Sequence, residues 1–485
     1  MATNLRKKTV TSLLWTSLEK FGMMGMAFVS NLILARLLMP EDFGAIGMLN
    51  IFIAISGAFM IGGLSSAIIQ KKEVSNDEMS TVFIWNMVVS ILCYIILFFS
   101  APIIARFYDI AILKNILRVY GLTLILVALS VVQQAWMQKQ LKFKELATRN
   151  LISSFMGLAV GIVMAFSGFG VWSLVFSNLV QQLIASLMIW KISSWRPKLI
   201  FDTKSFKELF SFGGMMLLTS LVDRIYANIQ GLLIGKHYTA SDLGMYNQAK
   251  KLEEIPNGSM SYIVSKVTFP VFSKLQDNKD LLLSALRKNL IAITYLNFPL
   301  IVLLVVIAKP LILLLYGEKW LFAVPYFQLL CIGGLLYTLN SINSNIVKSL
   351  GKGRLFLMTD IIIKSVGFAL LIIGVKFSVY GVLIATVIMQ YVTYIIFSII
   401  NNKLINYGFL QQVKDVFGSL ILTVAIGFVV YWLGTIIPLS IYIIMVIQIL
   451  LFVALYVAMS HIIGLKAYKL LIEVLADLRK EKKNK

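Results

Sequence analysis

The sequence predicts an all-α integral membrane protein of about fourteen transmembrane helices: two parallel six-helix repeats, an N-lobe and a C-lobe, around a central cavity, plus two extra C-terminal helices. Three observations carry this. The 485-residue chain is 59% hydrophobic and only 14% charged, with a mean hydropathy of +0.87. A soluble domain carries roughly 25% charged residues, so this chain lacks the polar surface to cover itself in water. Apolar runs of roughly 20 residues, enough to span a bilayer, recur from end to end, and basic residues gather in alternate connecting segments.

The first apolar run follows a short basic segment, Met1 to Lys8. It is too long for a signal peptide and lacks a small-x-small cleavage site, so it reads as the first span, 10–38. Five more spans follow near 43–69, 79–105, 112–136, 147–168 and 170–190, then a basic linker from Lys191 to Lys207. A second set of six lies near 209–235, 243–270, 288–308, 323–347, 355–376 and 378–401. Spans near 413–434 and 437–463 and a tail ending in RKEKKNK complete the chain. An even number of spans puts both termini on one side. The segments on that side hold thirty of the 44 Lys and Arg and the opposite loops eight, so both termini are expected in the cytoplasm. The opposite loops are too short to fold as an external domain.

An internal repeat supports the count. ILARLLMPEDFGAIGMLN at 33–50 returns as LIGKHYTASDLGMYNQAK at 233–250, pairing Arg36 with Lys236, Asp42 with Asp242 and Gly44 with Gly244. Asp42 and Asp242 are expected to cap the returning helices. FGVWSLVFSNLVQQ at 169–182 returns as FSVYGVLIATVIMQ at 377–390, pairing Trp172 with Tyr380 and Gln182 with Gln390. The expected division is therefore 1–200 for helices 1–6, 201–402 for helices 7–12, and 403–485 for helices 13–14 and the basic tail. Repeats of like orientation enclose a cleft where transporters hold substrate.

Ionisable groups within spans are costly and face a bundle interior or a wet cavity. Glu19 and Lys20 lie in the first span, Asp223 and Arg224 in the seventh, its repeat partner. At an offset of 200, Glu19 and Lys20 map onto Thr219 and Ser220, one helical turn before the second doublet, so both doublets share a face. Lys250, Lys251, Glu253 and Glu254 follow in the eighth span. Lys20, Arg224, Lys250 and Lys251 are the candidate anion-binding groups, since Arg grips phosphate oxygens in a fork and Lys adds a point charge. Glu19, Asp223 and Glu254 are candidate carriers of a coupling proton or Na+. The alternative is structural ion pairing: the doublets locking the lobes, and Lys250–Glu253 and Lys251–Glu254 neutralising each other at i,i+3. Arg36, Lys236, Lys266 and Lys364 are expected to snorkel from helix ends or a linker.

Other chemistries find little support. Cys93 and Cys331 stand singly in apolar runs, His237 and His461 lack ligand-spaced neighbours, and GKGRLF at 351–356 lacks the P-loop spacing. No nucleophile–base set, metal motif or nucleic-acid signature is present, so neither an enzyme nor a metal or cofactor protein is expected.

Four segments carry a resemblance: LARLLMPEDFGAIGML at 34–49, IIQKKEVSNDEMSTVFIWN at 68–86, QQAWMQKQLKFKELATRN at 133–150 and GVWSLV at 170–175. They resemble polysaccharide exporters of the multidrug/oligosaccharidyl-lipid/polysaccharide superfamily, of the Wzx type that includes the colanic acid exporter. The resemblance implies a two-lobed fold with alternating access in a bacterial inner membrane. It implies an undecaprenyl-pyrophosphate-linked oligosaccharide as substrate, flipped from the cytoplasmic to the periplasmic leaflet. Membrane lipids and polysaccharide polymerase or export machinery are the partners it suggests. A multidrug or small-solute cation antiporter of the same superfamily is the alternative, and a glycan polymerase or ligase a third.

Overall fold

The computed structural model describes the backbone of residues 2–473 and the side chains of residues 14–473 except residue 212. The side chains of the basic N-terminal segment and the RKEKKNK tail lie outside the described residues. All regular structure among the described residues is helical.

The chain forms two compact units, Met1–Gly244 and Met245–Lys485. The first holds α1 (Ala2–Leu37), α2 (Pro40–Ile61), α3 (Leu64–Gln70), α4 (Asn76–Phe107), α5 (Leu113–Tyr120), α6 (Leu122–Lys139), α7 (Phe143–Phe166), α8 (Val171–Ile192) and α9 (Thr203–His237). α10 (Ala240–Lys274) starts there and runs into the second. That unit continues with α11 (Lys279–Val306), α12 (Ala308–Leu315), α13 (Ala323–Gly334), α14 (Tyr337–Ser349), α15 (Gly353–Gly374), α16 (Val379–Ile405), α17 (Phe409–Ile436) and α18 (Ile441–Ile463).

Among the described residues, twelve helices or jointed helix pairs are long and apolar enough to cross a membrane. They match twelve of the fourteen expected spans. α9 and α10, 35 residues each, occupy the places of the other two. Their ionisable residues keep them out of a count based on hydropathy. Large apolar side chains point outward: Phe166, Phe428 and Ile462 are 72%, 71% and 74% exposed. Such a surface needs lipid as its solvent.

The repeat is visible in the backbone. α1 ends at Leu37 and α2 starts at Pro40, while α9 ends at His237 and α10 starts at Ala240. α8 and α16 start at Val171 and Val379. At the first pair of turns the backbones touch reciprocally. A methyl group on Gly44 would overlap the Ala240 carbonyl oxygen, and one on Gly244 would overlap the Pro40 carbonyl oxygen. Asp42 and Asp242 are not the capping residues themselves. Each sits three positions further in and accepts from the backbone N–H of the residue before its helix, Met39 at 2.9 Å and Thr239 at 3.2 Å. Thr239 caps in return, its Oγ1 accepting from the Asp242 N–H at 3.1 Å. This is a capping box, in which the acid at the third helical position accepts from the cap residue's N–H and the cap hydroxyl accepts from the third N–H.

Small residues and polar rungs hold the helices together, as expected where lipid removes the hydrophobic drive between them. Gly157 and Gly161 of α7 lie against Ser177 and Gln181 of α8. In the second unit α10 meets α14 through Ser261–Thr338 at 3.2 Å, Ser265–Ser341 at 2.7 Å and Asn345 donating to Thr268 at 3.1 Å. Asn343, Asn401 and Gln412, all fully buried, bind α14, α16 and α17: Asn401 donates to Asn343 at 2.8 Å and Asn343 to Gln412 at 2.9 Å. Such bonds contribute about 0.6–2 kcal/mol each in a membrane.

The basic connecting segments are also anchored. Lys71 forms a 2.5 Å ion pair with buried Glu78, a bond that raises the Lys71 pKa. Ser75 caps α4, with the reciprocal Ser75 N–H to Glu78 bond at 2.9 Å. Asp202 caps α9, and Ser205 holds its carboxylate below the usual range.

Candidate functional site: ionisable groups within the membrane helices

α1 and α9 place the two doublets in the first unit. α1 packs on α7, and α9 on α2, α3 and α4. Glu19 is half-buried, whereas Lys20, Asp223 and Arg224 are exposed. Counting 1.5 Å per residue, Glu19 lies about 27 Å and Arg224 about 20 Å from the ends of their helices at the repeated turns. Both distances fall within the roughly 30 Å thickness of a bilayer hydrocarbon core.

Glu19 has a partner that the sequence reading missed. Asn150 of α7 donates to its Oε1 at 2.5 Å, and the neighbouring Arg149 lies within its electrostatic reach. Arg149 is 4% exposed. Its Nε donates to the Ala185 carbonyl at 2.8 Å, and its Nη1 to Gln134 at 3.3 Å and Asn150 at 3.2 Å. Counting cations per loop assigned Arg149 to a linker. Its position seven residues into α7, beside an asparagine, was the available signal. The network joins α1, α6, α7 and α8 around one buried guanidinium, whose desolvation, several kcal/mol, only such satisfied donors offset.

In the second unit α10 carries the remaining candidates. Lys250 is half-buried, 4.0 Å from Glu254 and 5.8 Å from the Tyr246 ring centroid. The i,i+4 pairing with Glu254 is the one formed at Lys250, in place of the i,i+3 contact with Glu253. Glu253 instead accepts from Asn257 at 2.5 Å and lies close to Gly334 of α13. Lys251 and Glu254 are exposed. From the start of α10, Lys250 is about 15 Å along the axis.

The lesser candidates are mostly held locally. Lys364 pairs with Asp360 at 2.6 Å, Lys236 donates to the Phe107 carbonyl at 2.5 Å, and Lys266 lies 5.6 Å from the Tyr262 ring. Cys331 is buried and Cys93 half-buried. No group of three His, Cys, Asp or Glu residues able to hold a metal occurs among the described residues. An apolar recess of about 260 Å³ lies between α11 and α18, bounded by Tyr295, Pro299, Leu303, Phe452 and Val457.

Fold and charges together define a polytopic membrane protein, helical in all its described regular structure, whose long helices α9 and α10 expose ionisable groups. The chain belongs to the polysaccharide biosynthesis protein family, whose profile matches residues 33–325, more than half of its length. It is 30% identical over 294 residues to the teichuronic acid biosynthesis protein TuaB of Bacillus subtilis, a match spanning 60% of each chain. It is 26% identical over 335 residues to the lipopolysaccharide biosynthesis protein WzxC of Escherichia coli, covering 69% of this chain and 68% of WzxC. The succinoglycan biosynthesis transport protein ExoT of Rhizobium meliloti is 27% identical over 354 residues, 73% of this chain and 72% of ExoT. Among solved structures, lipid II flippase MurJ in an inward closed conformation superposes with a TM-score of 0.77 at 18% identity, covering 95% of this chain and all of MurJ. An inward-facing multidrug resistance MATE transporter gives 0.58 at 16% identity, covering 84% of this chain and 98% of the transporter. The fold is the one these two proteins share.

Proposed function

We propose that the chain is a flippase that moves an undecaprenyl-pyrophosphate-linked oligosaccharide from the cytoplasmic to the periplasmic leaflet of a bacterial inner membrane by alternating access. The observation that carries this reading is the exposure of Arg224 and Lys251 at membrane depth on α9 and α10. Each ionised group facing hydrocarbon costs roughly 2.5–3.5 kcal/mol on insertion scales, so their exposed faces call for a wet, polar hollow. Lys20, Arg224, Lys250 and Lys251 are the cations proposed to receive a diphosphate. Glu19, Asp223 and Glu254 moderate it when empty and are the candidates to carry a coupling proton or Na+.

The names of WzxC and ExoT, and the fold shared with MurJ, support a glycolipid substrate. The apolar recess beside α18 is suited to a polyprenyl tail that stays in lipid while the glycan crosses. The multidrug antiporter reading is the weaker one: the MATE superposition is looser, and a cation exporter needs acids to dominate where cations here are at least as numerous. Both termini are assigned to the cytoplasm by the basic segments.

A leaflet-resolved flipping assay with a lipid-diphosphate-linked sugar in proteoliposomes tests the proposal. Wild type should flip it, and Arg224→Ala should lose most of that activity at unchanged protein level. Wild type that leaves the sugar in its original leaflet, yet exchanges a cationic drug for protons or Na+, would favour the antiporter.

A further inference from the structure

The second unit contains a recess that the transport reading leaves unused. It measures about 470 Å³ and lies where the starts of α11 and α17 meet the segment after α18. This is the end of the unit where the basic connecting segments gather. Arg287, Lys414 and Lys466 line it, with Asp415 as the acid among them.

Asp415 is already committed. Arg287 grips it in a two-pronged bond, Nε at 2.7 Å and Nη2 at 2.8 Å, and the Tyr407 hydroxyl donates to it at 2.8 Å. That bond and the burial of Tyr407 raise the phenol pKa, so the hydroxyl remains a donor. Asp415 is bonded to Arg287 and also lies within the electrostatic reach of Lys466. Among the described residues, neither Lys414 nor Lys466 forms an ion pair, and both are exposed. Three cations against one acid leave the lining with a net charge of about +2, with Ser419 and Gln411 as neutral hydrogen-bonding groups on its wall.

The surroundings point to an amphiphile. Leu410, Lys414 and Phe417 stand at i, i+4 and i+7 on α17, one face of the helix. Leu410 and Phe417 are 79% and 52% exposed, and Ile462 at the end of α18 is 74% exposed. A positive recess flanked by exposed apolar side chains at a helix end matches the headgroup layer of a bilayer, where basic residues attract anionic lipid. We infer that this recess binds the phosphate headgroup of an anionic phospholipid of the adjoining leaflet, with Lys414 and Lys466 holding the phosphate and the Arg287–Asp415–Tyr407 cluster fixing the wall behind it. The recess shares no lining residue with the apolar one between α11 and α18.

Binding of phosphatidylglycerol and of phosphatidylcholine to the detergent-purified full chain, followed by native mass spectrometry, tests the inference. Wild type should prefer phosphatidylglycerol. Lys414→Gln/Lys466→Gln should weaken that binding roughly 25-fold, since each lysine near an anionic lipid contributes on the order of a factor of five. Lys274→Gln/Lys403→Gln, which removes two exposed charges outside the recess, should leave it within about twofold. Equal weakening in both double variants would overturn the inference, because the general field of the protein would then be the cause. So would the absence of any preference for phosphatidylglycerol. Displacement of the lipid by low-millimolar inorganic phosphate would also contradict it, identifying a soluble anion as the occupant.

Discussion

At the scale of single residues, the structure separates charges that serve the fold from charges left open. Arg149 is of the first kind: buried, three times bonded, and tied through Asn150 to Glu19. Arg149→Ala should therefore lower the thermal midpoint of the detergent-purified protein sharply, because removing a buried charged partner costs about 3–5 kcal/mol. Arg149→Lys, with fewer donors, should fall between. An unchanged midpoint in both would show that the network adds nothing to stability. Glycine gives a second residue-scale test. Gly44→Ala pushes a methyl group into the backbone carbonyl of Ala240, which no side-chain rotation relieves. Overpacking of this kind costs roughly 1–3 kcal/mol or more. Gly57→Ala, in open space, is the control. Size-exclusion profiles should show Gly44→Ala poorly folded and Gly57→Ala normal, and equal profiles would remove the close approach from the account.

At the scale of elements, hydropathy and the repeat revealed different things. Apolar runs located α2, α4, α8 and α15 through α18, because the few charges in each leave the mean hydropathy high over a membrane thickness. Hydropathy alone counts neither α9 nor α10, and it was the match of 233–250 to 33–50 that identified them as counterparts of α1 and α2. Interruptions were invisible. The expected spans at 112–136 and 323–347 are each two helices, jointed near Gly121 and Leu335–Leu336, because an apolar run looks the same whether or not its axis bends. The caps were displaced by three residues, since an acid at the cap and an acid at the third position of a capping box leave nearly the same sequence mark. Arg149 went unseen because a loop-by-loop census of cations carries no information on burial. The tyrosine, arginine and aspartate that meet at the 470 Å³ recess are 128 positions apart in the case of Arg287 and Asp415, a separation that no local pattern bridges.

At the scale of the whole molecule, the account depends on charged stretches of α9 and α10 facing water inside the bilayer. The exposed apolar faces of the other helices need lipid, and the same physics forbids Arg224 and Lys251 from sharing that environment. In the proposed mechanism, polar access to these helices lets a charged headgroup cross while its tail remains in hydrocarbon. The most direct measurement is thiol accessibility. In a background with Cys93→Ser and Cys331→Ser, single cysteines at positions 224, 251 and 428 are treated with a water-soluble, membrane-impermeant maleimide in proteoliposomes open to reagent on both sides. The account predicts labelling at 224 and 251 and none at 428, with labelling at the first two slowed by lipid-diphosphate-linked sugar. If 224 and 251 remain as unreactive as 428, no wet path reaches them, and the transport mechanism proposed here is contradicted.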